Sequence, residues 1–124
     1  MEQLPAAIQA LVLRLSGDGH AVWLIGSRAN GTARKNSDWD LLVMGDAELL
    51  ERLSRTAPTP NVDLLVLFDG ESFVSPWDSG SSKVRKSGSL SDWAWRQTSE
   101  SEAIYSGTKW PNDWGSIKKA IRLG

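Results

Sequence analysis

The sequence predicts a small α/β (α+β) domain: a mixed sheet with helices packed mainly on one face and a site on the other. Three observations lead there. An amphipathic helical pattern opens the chain, and three short apolar runs follow with a helix signal between the second and third. Asp38 and Asp40 alternate at the head of the second run and Asp63 lies in the third, so if all three point to the same side one face of the sheet carries charge.

Each element follows from local chemistry. Leu4, Ile8, Leu11, Val12 and Leu15 recur at helical spacing, and Gly17 supplies a stop, which predicts a helix over 4–16. Ala21 to Ile25 is an apolar run ending at Gly26, a buried strand. Gly26-Ser27 turns the chain, and Arg28 to Thr32 forms a short helix whose first amides point outward. Asp38 to Met44 is the second strand, closed by Gly45. Asp46 is placed to cap a helix carrying Leu49, Leu50 and Leu53, which ends before Pro58. Val62 to Phe68 is the third strand, apolar except for Asp63.

Beyond Phe68 the texture changes. Residues 69–92 are rich in Ser and Gly and contain Pro76, and they read as a long mobile loop. Trp93 to Gln97 fits a helix start or a strand equally well. Ala103 to Tyr105 is a short strand, and Asn112 or Asp113 caps a closing helix with Trp114, Ile117, Lys118 and Ile121. No internal repeat is visible. The expectation is one domain over 1–124, with a motif core at 20–68 and a tryptophan-rich cover and loop at 69–124. Asp38, Asp40 and Leu42 share one strand face, as do Asp63, Leu65 and Leu67. Their apolar companions need a cover, and only the second half, with five of the seven tryptophans, can supply it.

Composition narrows the function. Lys plus Arg is 14 against 15 for Asp plus Glu, a net charge of −1, so no long nucleic acid is expected as partner. The absence of cysteine excludes a disulfide framework and thiolate metal sites. The N-terminus lacks the basic start of a signal peptide, and no apolar run reaches membrane-spanning length. No membrane association is therefore expected, and the localisation expected is cytoplasmic.

The carboxylates carry the chemistry. Asp38 and Asp40 project side by side, and Asp63 can reach the same point from the neighbouring strand. Clustered carboxylates are tolerable when a hard cation lies between them, and an all-oxygen set suits Mg²⁺ or Mn²⁺. Two such ions about 4 Å apart can hold the attacking and leaving oxygens of an in-line displacement. Gly26 lets the backbone approach a ligand, and helix-start amides with the Ser27 hydroxyl bind phosphate oxygens. Arg28, Arg34 and Lys35 either steady a triphosphate or are solvated loop charges. His20 opens a strand, and Tyr105 is a packing residue with a hydrogen-bonded hydroxyl.

Gly26-Ser27, ten residues, then Asp38-Trp39-Asp40 resembles the GSX10DXD signature of minimal nucleotidyltransferases in the DNA polymerase beta superfamily. Asp63 in NVDLLVLF matches that superfamily's third carboxylate, and SEAIYSG is similar to a late strand ending in Tyr. The resemblance covers residues 20–68 and implies a nucleotidyltransferase fold. It implies transfer of AMP from ATP to a hydroxyl, with Asp38 and Asp40 holding two Mg²⁺ ions and Asp63 helping to activate the acceptor. Family members often read GSRARG, whereas position 30 here is Asn30, so a phosphate contact from an arginine there is absent or moved to Arg28 or Arg34. The resemblance also implies a partner, since small members commonly act as antitoxins that adenylylate a tyrosine of a HEPN-type toxin. Two other readings compete: adenylylation of a small molecule of the aminoglycoside kind, for which the chain has no acceptor-holding domain, and a non-catalytic antitoxin that neutralises by contact.

Overall fold

The computed structural model describes residues 4–31, 33–77, 87–106 and 117–124. Helix α1 (Ala6–Gly17) starts directly after Pro5, whose fixed φ suits a helix entry. It buries Ile8, Leu11, Val12 and Leu15, the stripe read from the sequence. Strand β1 (Val22–Ile25) is buried at all four positions because both faces of the sheet are covered there. One helical turn, α2 (Gly26–Ala29), follows immediately, earlier than the expected Arg28–Thr32 segment, of which Thr32 lies outside the described residues. Strand β2 (Trp39–Met44) leads into α3 (Ala47–Ser54), where Asp46 caps as expected: its Oδ1 accepts from the Leu49 N–H at 2.8 Å. Strand β3 (Val62–Leu67) then lies parallel to β2, with α3 as the crossover.

Among the described residues five more short strands follow: β4 (Ser72–Val74), β5 (Ser87–Ser89), β6 (Arg96–Gln97), β7 (Glu102–Tyr105) and β8 (Lys118–Arg122). Among the described residues the strands form one sheet in the order β5-β4-β3-β2-β1-β8-β7-β6. Among these described strands only β2 and β3 run parallel, and the other pairs are antiparallel.

The two faces bury different sets. Val22, Leu24, Trp39, Leu41, Val43, Leu64 and Val66 face α1 and α3. Trp77 joins this layer, and its indole N–H donates to the Leu53 carbonyl at 2.9 Å. The opposite face buries Trp23, Ile25, Leu42, Leu65 and Leu67 beneath Phe73 and Tyr105, with Leu90, Trp93 and Trp95 packed against them. The second half of the chain thus covers the face that carries the strand aspartates, as parity requires. Trp77 goes to the other face, and Trp110 and Trp114 lie outside the described residues.

Two expectations are corrected and one that was open is decided. The closing helix is, over Lys118–Arg122, strand β8. It fills the gap between β1 and β7, and burying Ala120 on one face and packing Ile121 toward the other is a period-two pattern. Its expected cap, Asn112 or Asp113, lies outside the described residues, as does Trp114. The Ser- and Gly-rich segment 69–92 is not all loop, since β4 and β5 pair within it, while residues 78–86 lie outside the described residues. Gly88 is there for space: a Cβ on it would lie 2.8 Å from the Phe73 ring. The stretch Trp93–Gln97, open to either reading, is a turn running into β6. No helix among the described residues is long and apolar enough to cross a membrane.

The Asp46 cap positions α3 and hence the β2–β3 crossover. Asp46→Ala is expected to lower stability by about 1 kcal/mol in urea unfolding, with an unchanged m-value.

Candidate active site

The site begins where β1 must stop. In the β1–β2 ladder Ile25 faces Asp40, and at Gly26 the chain turns away at φ +72. No other residue suits that position. A Cβ at Gly26 would collide with Asp40 Oδ2 and lie 3.0 Å from Asp40 Cγ, so the carboxylate packs directly on the glycine Cα.

The parallel ladder then sets Asp40 opposite Asp63. Paired residues in neighbouring parallel strands point to the same side, and the strands lie about 4.8 Å apart. Both carboxylates are half-buried and share the face of Leu42 and Leu65, opposite the helices. Asp38 has the same parity but precedes β2 and is exposed. The register therefore brings Asp40 and Asp63 together and leaves Asp38 at the rim. Among the described residues no group of three or more carboxylate or imidazole side chains is set to hold a metal ion.

The basic loop is organised from within. Arg28 donates from Nε and Nη2 to the Ser37 carbonyl at 3.2 and 2.7 Å, and from Nη2 to the Lys35 carbonyl at 3.2 Å. Its guanidinium lies 4.3 Å from the centre of the Trp39 ring. Arg28 thus shapes the loop that delivers Asp38. Arg34 and Lys35 are exposed, while the Arg34 backbone N–H donates to Ser37 Oγ at 2.8 Å. Ser27 is half-buried on the first turn of α2. His20 sits at the far end of the strands, where Nδ1 donates to the Met44 carbonyl at 3.2 Å, so it takes no part in the site.

Residues 12–62 match the family model described as Polymerase beta, Nucleotidyltransferase. The match supports nucleotidyl transfer as the class of chemistry. It runs from within α1 to the first residue of β3, fewer than half of the 124 residues, and contains Gly26, Ser27, Asp38 and Asp40. Asp63 is the next residue after it, and the structure rather than the match sets it beside Asp40. No curated protein and no solved structure matches the chain.

Two residues at this nucleotidyltransferase-like turn have roles that spacing did not show. The Gly26 N–H donates to the Tyr105 hydroxyl at 2.8 Å, across 79 positions of sequence. Asn30 Nδ2 donates to the Gly26 carbonyl at 2.8 Å and to the Lys119 carbonyl at 3.1 Å, and its Oδ1 accepts from the Lys119 N–H at 2.8 Å. The only available signals were that Tyr105 is the sole tyrosine and that Asn30 breaks the GSRARG pattern. Burial holds the Tyr105 phenol above its ordinary value, with the Asp40 charge adding to the effect and the Gly26 and Asn30 contacts opposing it.

Two outcomes are expected. Gly26→Ala suffers both positive-φ strain and the Asp40 collision, whereas Gly19→Ala, at φ +91 with open space, suffers only the first. Gly26→Ala should therefore be the more destabilising in a denaturant melt, by about 1 kcal/mol or more beyond the Gly19→Ala loss. Absorbance titration near 295 nm reads the lone phenol directly, and its midpoint should lie above that of the urea-unfolded chain. A raised folded value means the contribution to stability is intact below about pH 10 and is lost as pH rises through the folded midpoint.

Proposed function

We propose that this protein transfers AMP from ATP to a hydroxyl group, the acceptor being a tyrosine of a HEPN-type toxin that it neutralises. The observation that carries this reading is the Asp40–Asp63 register beside a positive-φ glycine turn, with Gly26 and Asp40 inside, and Asp63 next to, a stretch that matches the polymerase beta nucleotidyltransferase family model. The toxin partner and the tyrosine rest on the GSX10DXD resemblance alone.

The donor set is compatible with Mg²⁺, with Mn²⁺ as a substitute. That ion takes one or two carboxylates and fills its shell with water and substrate phosphate, so a preformed three-carboxylate cluster is unnecessary. Asp40 and Asp63 would hold it, with Asp38 contributing from the rim. When bound, a pair of such ions neutralises triphosphate charge and stabilises the departing pyrophosphate. The protein's own contributions are positional. The Ser27 hydroxyl and the backbone of the turn receive phosphate oxygens, and Arg34, exposed nearby, adds positive charge. Asp63 accepts the proton of the acceptor hydroxyl. The acceptor oxygen bonds to the α-phosphorus as the bond from that phosphorus to the pyrophosphate oxygen breaks.

ATP labelled at the α-phosphate, incubated with the protein and Mg²⁺ in host lysate, tests this. A protein labelled on tyrosine is expected, with labelling lost in EDTA and restored by Mg²⁺ or Mn²⁺. Asp40→Asn and Asp63→Asn should each lower labelling by about a hundredfold or more while the circular dichroism spectrum stays native. Label confined to a small molecule would contradict the acceptor. An unlabelled partner in a stable complex would contradict catalysis.

A further inference from the structure

Strand β8 runs antiparallel to β1, with Trp23 facing Arg122 and Leu24 facing Ile121. Continuing that register sets Lys119 opposite position 26, but there the chain has already turned into α2. Lys119 pairs with Ile104 of β7 on one side, but on the β1 side it has no strand partner, and the Asn30 carboxamide stands in for one. It accepts from the Lys119 N–H at 2.8 Å and donates to the Lys119 carbonyl at 3.1 Å. The same Nδ2 donates to the Gly26 carbonyl at 2.8 Å, so one side chain ties the turn to β8.

The other end of Gly26 is held from β7. Its N–H donates to the Tyr105 hydroxyl at 2.8 Å. Tyr105 is 5% exposed, and its ring stacks against Trp93 and Trp95 at centroid distances of 5.1 and 6.0 Å. Both peptide groups of Gly26 are therefore tied to side chains, and the Asp40 carboxylate rests on the Cα between them.

We propose that Asn30 and Tyr105 are positioning residues that pre-set the Gly26-Ser27 turn, and with it the Asp40 carboxylate, before any nucleotide arrives. This rests on the nucleotidyl-transfer reading and assigns to β7 and β8, beyond the matched stretch, a part in the same reaction. A turn fixed in advance lowers the ordering cost at binding, so its loss falls chiefly on nucleotide affinity.

Tyr105→Phe keeps the stacked ring and removes only the acceptor. Asn30→Asp keeps the size but sets a carboxylate oxygen against the carbonyls of Gly26 and Lys119. Two readouts are needed. In amide hydrogen exchange by NMR, the Gly26 N–H of each variant is expected to exchange about tenfold faster than in the parent, while Leu24, inside the ladder, is unchanged. In the labelling assay, the KM for ATP is expected to rise about tenfold with kcat within about threefold. Unchanged Gly26 exchange in both variants overturns the clamp. Faster exchange with an unaltered KM overturns its role in the reaction and leaves only a structural tie. A parent protein that transfers no nucleotide overturns the proposed function instead, and the exchange measurement still decides the clamp.

Discussion

Asp40 and Asp63 stand side by side because β2 and β3 run parallel in register, and the surroundings are arranged to permit that juxtaposition. The register sets both carboxylates on one face of neighbouring strands about 4.8 Å apart, and both are half-buried there. Leu42 and Leu65 continue the same face as buried apolar residues. In the function proposed above, this pair is where a hard cation would be held.

The glycine turn and the aromatic cover follow from that placement. Asp40 has room only because position 26 lacks a Cβ, and the positive φ of Gly26 sends the chain off the sheet before it can obstruct the face. The apolar residues sharing the face still need burial. They obtain it from Phe73, Trp93, Trp95 and Tyr105, whose rings contact one another at centroid distances of 4.6 to 6.0 Å. The late strands are thus part of the site's architecture, reaching its central turn through a phenol and a carboxamide.

Much of this was legible in the sequence because it is local. The α1 stripe, the Asp46 cap and the alternation along β2 and β3 are each set within a few residues, and parity alone assigned the aspartates to the face that the second half covers. What could not be read is non-local. Lys118–Arg122 joins good helix formers to apolar residues at helical spacing, yet it is a strand because β1 and β7 both offer edges to it. Arg28 looked available for phosphate, but its contacts with Ser37 and Lys35 depend on how a ten-residue loop folds back. Asp38 followed the spacing rule faithfully and still lies outside the ladder, since parity fixes direction and not depth. The partners of Asn30 and Tyr105 are 89 and 79 positions distant, where no motif spacing reaches.

Manganese provides the most direct measurement, because its unpaired electrons broaden the signals of nearby amide protons. Titrating Mn²⁺ with a non-hydrolysable ATP analogue into ¹⁵N-labelled protein should first erase the amides of Gly26, Ser27, Asp40 and Asp63, and Asp40→Asn should abolish that pattern. Broadening centred instead on the acidic cleft of Asp18, His20, Asp46 and Glu48 at the other end of the sheet would contradict the account. So would broadening with no fixed centre.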